Sequence, residues 1–388
     1  MVFGILKDKK DGEHRVISTP REVRSIVAAG HRVIAESSCG YTAGFDDEEY
    51  ASAGAEIVDS AADVWQRCDV VAKVKEFTPS ECKMMRRGQI ILGCIHPAAN
   101  PEEVSAILDA GVIAFTLEDS HRFGSPNCEA AGKQGALFGL ESMLTINGGA
   151  GKFVGGFAGA AAMRVLILGA GAVGRGALEV LYALGARCTV MDINRSALCE
   201  LLSKYSSHID TMICSKEAIA SLLPRMDMVV NCVRWDKSRR DFLIDKEMVS
   251  TMSRGSVIVD ISNDSPGAIE TSRTTSHSAP RYIERGVVHY CVSNIPGAVA
   301  HSASCAYAAS VLPMILSILG DGVSECCRKD GFYRRSLMAY RGYLTHEETS
   351  VVQNRPWISP EDILGFAGAP LDFAPPATSQ KSSNFYKF

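Results

Sequence analysis

The sequence predicts an α/β protein of two domains with parallel sheets. Three observations carry this reading. Residues 165–194 read VLILGAGAVGRGALEVLYALGARCTVMDIN, an apolar run, a glycine turn, an amphipathic run, a second apolar run and an acid. Short β-type runs alternate with helical stretches on both sides of that segment, and such alternation builds a mostly parallel sheet. The length, 388 residues, is enough for two domains.

In the 165–194 segment, Gly169, Gly171 and Gly174 complete a G-x-G-x-x-G turn after the strand Val165–Leu168. Gly169 allows the tight turn, Gly171 lets the backbone approach a pyrophosphate, and Gly174 lets helix and strand pack closely. Ala172 and Val173 open the helix, whose free N–H groups face the phosphates. Asp192 closes the second strand about 20 residues on, where a carboxylate accepts from ribose hydroxyls and repels a 2′-phosphate. The segment therefore predicts a Rossmann-like unit holding a nicotinamide or flavin dinucleotide, NAD in preference to NADP. Arg195 leaves NADP open.

The other elements follow in order. Val2–Leu6 reads as a strand. Thr19-Pro20-Arg21-Glu22 starts a helix with a hydroxyl cap, a proline in the first turn and a glutamate three residues on. That helix ends at Gly30, and Arg32–Glu36 is the next strand. Asp46 to Glu49 caps another helix. Val70–Lys75, Ile90–Gly93 and Val112–Thr116 are further strands. A helical pattern runs from Cys128 to Asn147, and a glycine-rich connector covers 148–159. After the dinucleotide segment come strands at Met228–Val233, Ser256–Ile261 and Val287–Val292. Residues 370–388 begin with a proline-, serine- and alanine-rich stretch and are expected to form a loose tail.

Composition excludes some functions. A net charge of −4 and a pI near 6.2 argue against a nucleic-acid or anionic-membrane surface. The longest apolar stretch, Cys305–Leu319, contains Pro313 and falls short of the ~20 residues a span needs, so it reads as a buried helix and no membrane partner is expected. Lys7 to Arg15 interrupts the first apolar residues, so no secretory signal is expected. The 13 cysteines are scattered without zinc-site spacing, so no metal is expected. Free thiols fit a cytoplasmic protein.

Hydride transfer needs a dinucleotide, a group for the substrate and an acid/base at the reacting carbon. Asp264 and Asn294 follow strands of the dinucleotide unit, at the carboxyl edge where ligands bind. Both also suit turns beside Pro and Gly. Lys73 and Lys75 alternate with apolar residues. A lysine at a strand end can bind a carboxylate or carbonyl, and two solvated edge lysines is the plainer reading. His96 ends the strand Ile90–Gly93 and has an ordinary pKa of ~6.5, suited to proton transfer. Arg15 can fork onto a carboxylate, with a surface arginine as the default.

Taken in order, these residues carry a resemblance. It rests on His14-Arg15-Val16 to Thr19-Pro20, Gly30-His31, Val74-Lys75-Glu76, Gly88-Gln89-Ile90 to His96, the GAGAVG turn with Asp192, Glu270-Thr271-Ser272-Arg273, His289-Tyr290-Cys291 to Asn294-Ile295-Pro296-Gly297, and Leu344-Thr345-His346-Glu347. The chain resembles the alanine dehydrogenase and pyridine-nucleotide transhydrogenase α-subunit family. The resemblance implies that Arg15 and Lys75 hold the substrate carboxylate and carbonyl. His96 would be the acid/base with Asp264 as its partner, Asp192 would take the adenosine ribose, and Asn294 would contact the nicotinamide side. It further implies a discontinuous substrate domain (1–122 and 302–388), an NAD-binding domain (123–301), an active-site cleft between them, and a homo-oligomer acting on a small amino or 2-oxo acid. Some segments depart from alanine dehydrogenases. Ser265-Pro266-Gly267 follows Asp264, Pro97 follows His96, and Val233 to Asp241 replaces a Val-Pro-Gly loop. The Trp235-Asp236 to Arg239 segment and His96-Pro97 are similar to the carboxyethyl-ornithine synthase-like branch, which joins an amino acid's amine to a 2-oxo acid and reduces the imine. Three readings follow: an amino-acid dehydrogenase, an opine-type synthase, and a transhydrogenase NAD-binding module as the weakest.

Overall fold

The computed structural model describes residues 1–235, 239–263, 267–366 and 368–375. The chain divides into two compact units. Among the described residues, one comprises Met1–Pro126 and 300–375, the other Asn127–Val299. In chain order the strands are β1 (Val2–Ile5), β2 (Arg32–Glu36), β3 (Ala55–Val58), β4 (Val70–Ala72), β5 (Ile90–Gly93), β6 (Ile113–Thr116), β7 (Arg164–Leu168), β8 (Arg187–Asp192), β9 (Asp210–Ile213), β10 (Met228–Asn231), β11 (Val257–Asp260), β12 (Arg281–Glu284), β13 (Val287–Tyr290), β14 (Leu337–Tyr340) and β15 (Tyr343–Leu344).

The sheet of the first unit has the order β15-β14-β6-β5-β4-β1-β2-β3. β1 to β6 pair in parallel. β14 and β15 run antiparallel at one edge. The sheet is thus parallel-dominated, as expected, with an antiparallel hairpin added at its edge. The late hairpin turns at Arg341-Gly342, both at positive φ, and such a tight turn joins antiparallel strands without a crossover helix. β4, β5 and β6 are buried along their whole length, so they read as continuous apolar runs rather than alternating ones. One face packs Phe3, Ile5, Leu92 and Phe115 against Tyr307, Val311, Ile315 and Ile318. The other packs Val71, Ile91 and Ala114 with Trp65 and Ile107.

Those Tyr307 to Ile318 side chains come from the long apolar helix, Ala300–Asp321, of 22 residues. It is longer than the sequence suggested, because Pro313 sits inside it without ending it. By length and composition it reaches what a membrane span needs, and half of its most apolar window is buried in the protein. The tail is also corrected in part. Asp372 accepts from the Gly331 N–H at 2.9 Å and pairs with Arg122, while Arg335 donates to the Pro375 carbonyl at 2.9 Å.

The second unit has the order β12-β13-β11-β10-β7-β8-β9, parallel except for β12 on β13. The helix Ala172–Ala183 packs Ala177, Leu178 and Leu181 into a core with Val165, Ile167 and Val190. In both sheets the order reverses beside a central strand. In an open α/β sheet the crevice at that reversal, at the carboxyl ends of the strands, is where ligands bind. The reversal falls between β1 and β4 in the first sheet and between β7 and β10 in the second.

Candidate active site

Arg15, Lys75 and His96 all lie on loops that leave the carboxyl ends of β1, β4 and β5, around the reversal of the first sheet. Arg15 is 3% exposed, not a surface arginine. Its Nε and Nη2 fork onto Glu13 at 2.7 and 2.5 Å. Burial alone would raise the Glu13 carboxyl, but the Arg15 guanidinium outweighs it and holds the group below its usual range.

The two lysines are not solvated edge residues. β4 lies inside the sheet, and Lys73 is wholly buried with Glu81 at 3.1 Å and Asp8 at 3.8 Å. The strand stops at Ala72, and Lys75 is half-buried on the loop beyond it. That loop is held by carboxylates from neighbouring elements. Asp8 Oδ2 accepts from the Lys75 N–H at 2.8 Å, and Glu103 Oε1 accepts from the Phe77 N–H at 2.6 Å. Burial pushes the Glu103 carboxyl up to about 8. Lys73 thus anchors the acid that anchors the Lys75 backbone.

His96 has left-handed backbone, φ 48°. Glu118, on the turn Leu117–Asp119 after β6, accepts from the His96 N–H at 2.6 Å through Oε1, which lies 3.3 Å from the ring Nδ1. That carboxylate is within ion-pair distance of Nδ1, and its charge favours a proton on Nδ1, with Nε2 as the acceptor. Glu118 Oε2 is buried and has no hydrogen-bond partner among the described residues. Cys94 Sγ lies 3.0 Å from Tyr307 Oη, within electrostatic reach of Glu118, Lys75 and Arg15. His121 stacks obliquely on Tyr307 at 5.6 Å, and burial lowers its pKa to about 4, so it is neutral. The sequence reading did not select Glu13, Asp8 or Glu118. Glu118 follows β6 by two residues and carries no pattern of its own, since its role depends on the loop after β5.

The second unit holds the dinucleotide candidates. Gly169 has φ 99°, and a Cβ on Gly174 would stand 1.8 Å from the Gly169 carbonyl oxygen. A Cβ on Gly171 would meet nothing within 4 Å. Gly171 is the N-cap of the helix Ala172–Ala183 and offers no side-chain cap, so the first N–H groups, Ala172 and Val173 among them, have no side-chain acceptor at this end. This open, uncapped helix start fits a pyrophosphate. Asp192 Oδ2 accepts from the Ala170 N–H and Oδ1 from the Asn194 N–H, both at 2.6 Å. The acid therefore braces the glycine turn and keeps a lone pair on each oxygen for a diol. Asn294 has φ 68°, and its carbonyl accepts from the Gly297 N–H at 3.0 Å and lies 3.2 Å from His277 Nε2. Asp264 lies outside the described residues.

The pair Gly171 and Gly174 gives a test. Gly174→Ala forces the turn open and is expected to lower both thermal stability and NADH affinity. Gly171→Ala leaves the fold intact and weakens NADH binding by roughly tenfold or more, because the methyl occupies the pyrophosphate approach. Thermal melts and NADH fluorescence titration check both.

Comparison with known proteins identifies the family. The family model described as alanine dehydrogenase/PNT, N-terminal domain, matches residues 4–126, and that described as alanine dehydrogenase/PNT, C-terminal domain, matches 136–347. The alanine dehydrogenase of Methanococcus maripaludis is 33% identical over 371 residues, 94% of this chain and 100% of that protein. The alanine dehydrogenase of Bacillus subtilis is 34% identical over 353 residues, 89% of this chain and 93% of that protein. A solved L-alanine dehydrogenase superposes with a TM-score of 0.85 at 33% identity, covering 91% of this chain and 99% of that one. A transhydrogenase from Sinorhizobium meliloti shares the fold, with a TM-score of 0.75 at 23% identity, covering 89% of this chain and 99% of that one. The chain belongs to the alanine dehydrogenase/PNT family.

Proposed function

We propose that this chain is an NAD-dependent oxidoreductase acting on the C–N bond of an α-amino acid. In the oxidative direction the amino acid, NAD⁺ and water give the 2-oxo acid, ammonium, NADH and a proton, and the reaction is reversible. The observation that carries this reading is the gathering of Arg15, Lys75 and His96 around one sheet reversal, in a chain whose alanine dehydrogenase relatives match it over nearly its whole length. The dinucleotide, when bound, accepts or delivers hydride at the α-carbon.

The residues divide the remaining work. Arg15 supplies the positive charge that binds the substrate carboxylate, on the family resemblance, while its Nε and Nη2 remain on Glu13. Lys75 binds the carbonyl or imine substituent and draws charge toward it. His96 takes and returns protons at the substrate oxygen and nitrogen through Nε2, with Glu118 holding its backbone N–H and lying beside Nδ1. Asp264 serves as the partner of His96 on the family resemblance. Gly169, Gly171, Ala172, Val173 and Gly174 cradle the pyrophosphate, Asp192 takes the ribose hydroxyls, and Asn294 contacts the nicotinamide side. The carboxylate of Asp192 disfavours a 2′-phosphate and so favours NAD over NADP. The family resemblance further supports a cytoplasmic homo-oligomer working on small amino and 2-oxo acids.

The deciding assay is NADH oxidation with pyruvate and other 2-oxo acids, first with ammonia and then with ornithine or lysine as amine donor. Turnover with ammonia establishes the amino-acid dehydrogenase. Turnover only with an amino-acid donor replaces it with the opine-type synthase. NADH binding without turnover in any combination overturns both.

A further inference from the structure

The turn Leu117–Asp119 carries two acids with different partners. Glu118 holds His96, as described. Asp119 Oδ2 lies 3.0 Å from Nε2 of His346, and the two residues are 5% and 2% exposed. His346 is the N-cap of the helix Glu347–Gln353, with Nδ1 2.9 Å from Thr349 Oγ1 and 3.4 Å from the Thr349 N–H. At the far end of the same helix, Gln353 Nε2 donates to the Pro97 carbonyl at 2.6 Å, one residue past His96. One C-terminal helix therefore grips both turns that carry the His96–Glu118 pair.

A helix N-cap alone does not call for histidine, because Ser, Thr, Asp and Asn cap better. What the imidazole adds is reach, a second nitrogen that meets Asp119 in the interior. Burial opposes a charge on this ring, but Asp119 outweighs it and raises the His346 pKa. Glu348 brings a third oxygen within 4.8 Å of the cluster. Both ring nitrogens are already engaged, so the group works as a hydrogen-bonded brace.

We propose that His346 is a positioning residue for the reacting site. Through Asp119 it sets the Leu117–Asp119 turn, and the turn, through Glu118, sets the orientation and tautomer of the His96 ring. The proposal rests on the reading of His96 as the acid/base. The chain of contacts joins a residue near the C-terminus to the proton-transfer group without touching substrate or cofactor.

Two substitutions separate the two ends of the imidazole. In His346→Asn the amide oxygen replaces Nδ1, so the cap is kept and the bond to Asp119 is lost. In His346→Gln the amide nitrogen replaces Nε2, so the bond to Asp119 is kept and the cap is lost. H346N is expected to lower kcat about 10- to 100-fold, as small misplacements of a reacting group do, with KM for the oxo acid and NADH nearly unchanged. H346Q should keep kcat near the wild-type value even where Tm falls. The reverse order, or wild-type kcat in both, overturns the proposal. A second readout needs no turnover. In ¹⁵N spectra of the free protein, assigned by the signals lost in His96→Asn, the wild-type ring should show one dominant Nδ1–H tautomer and H346N a mixture. An unchanged His96 signature in H346N overturns the positioning role whatever the substrate. Absence of wild-type turnover overturns only the functional reading.

Discussion

Replacing His96 by alanine lowers turnover about 10²–10⁴-fold, the range expected when a group that moves protons is removed, and leaves NADH affinity unchanged. The second half of that result matters, because His96 stands on the first unit and the glycine turn on the second. His96 also occupies left-handed backbone, which alanine adopts at a cost and asparagine tolerates. His96→Asn should therefore match the alanine variant in kcat and keep a Tm closer to wild type. Steady-state kinetics with fluorescence titration of NADH checks both. Wild-type turnover in either variant removes His96 from the mechanism.

Removing Arg15 has a double effect. Arg15→Ala takes away the charge proposed to bind the substrate carboxylate and also leaves Glu13 buried without its guanidinium. Breaking a buried pair from one side costs about 3–5 kcal/mol. The double variant Glu13→Leu/Arg15→Met should recover most of that stability and none of the activity, which separates binding from folding. The pH dependence has a definite sign. In the wild type Glu13 lies below its usual range, so its contribution is present above the unfolded value of about 4.3 and is lost as pH falls through the lower folded value. Without Arg15 burial dominates and raises the carboxyl, so the penalty is full near neutrality and disappears on acidification, as Glu13 takes a proton. Urea unfolding of both proteins across pH 4 to 8 should show the deficit of Arg15→Ala narrowing toward the acid end. A deficit that is constant with pH would assign the loss to packing instead.

Several features of the fold were legible because they are local. The strand, glycine turn, helix and acid of residues 164–192 depend on neighbours in sequence, and the structure has them in that order. Thr19 and Glu22 form their expected cap, with Glu22 Oε2 accepting from the Thr19 N–H at 3.2 Å. What sequence reasoning lost depends on distant partners. Lys73 reads as a surface residue until Glu81 and Asp8 are seen around it. Arg15 reads as exposed until Glu13 folds back on it. β14 and β15 have four and two residues and little pattern of their own, and they become strands because β6 offers an edge. Of the site, the glycine turn was legible from residue type and spacing, whereas Arg15, Lys75 and His96 were singled out together only by the family resemblance. The carboxylates that hold their backbones were not, because a glutamate two residues past a strand has no signature until the adjacent strand's loop is known.

The hairpin of β14 and β15 on β6 has a consequence for how the chain is made. The ribosome delivers residues 1–126 well before Ala300 emerges. Until then Phe3, Ile5, Leu92 and Phe115 lack the helix that covers them, and β6 is a bare edge able to pair with any passing strand. The middle unit has all its strands within Asn127–Val299 and closes its core while the first unit still waits. The usual N-to-C order of domain completion is thereby inverted. A nascent chain stalled short of residue 300 is a finished nucleotide-binding module tethered to an open half-sheet, and that half-sheet is the surface a ribosome-associated chaperone has to shield.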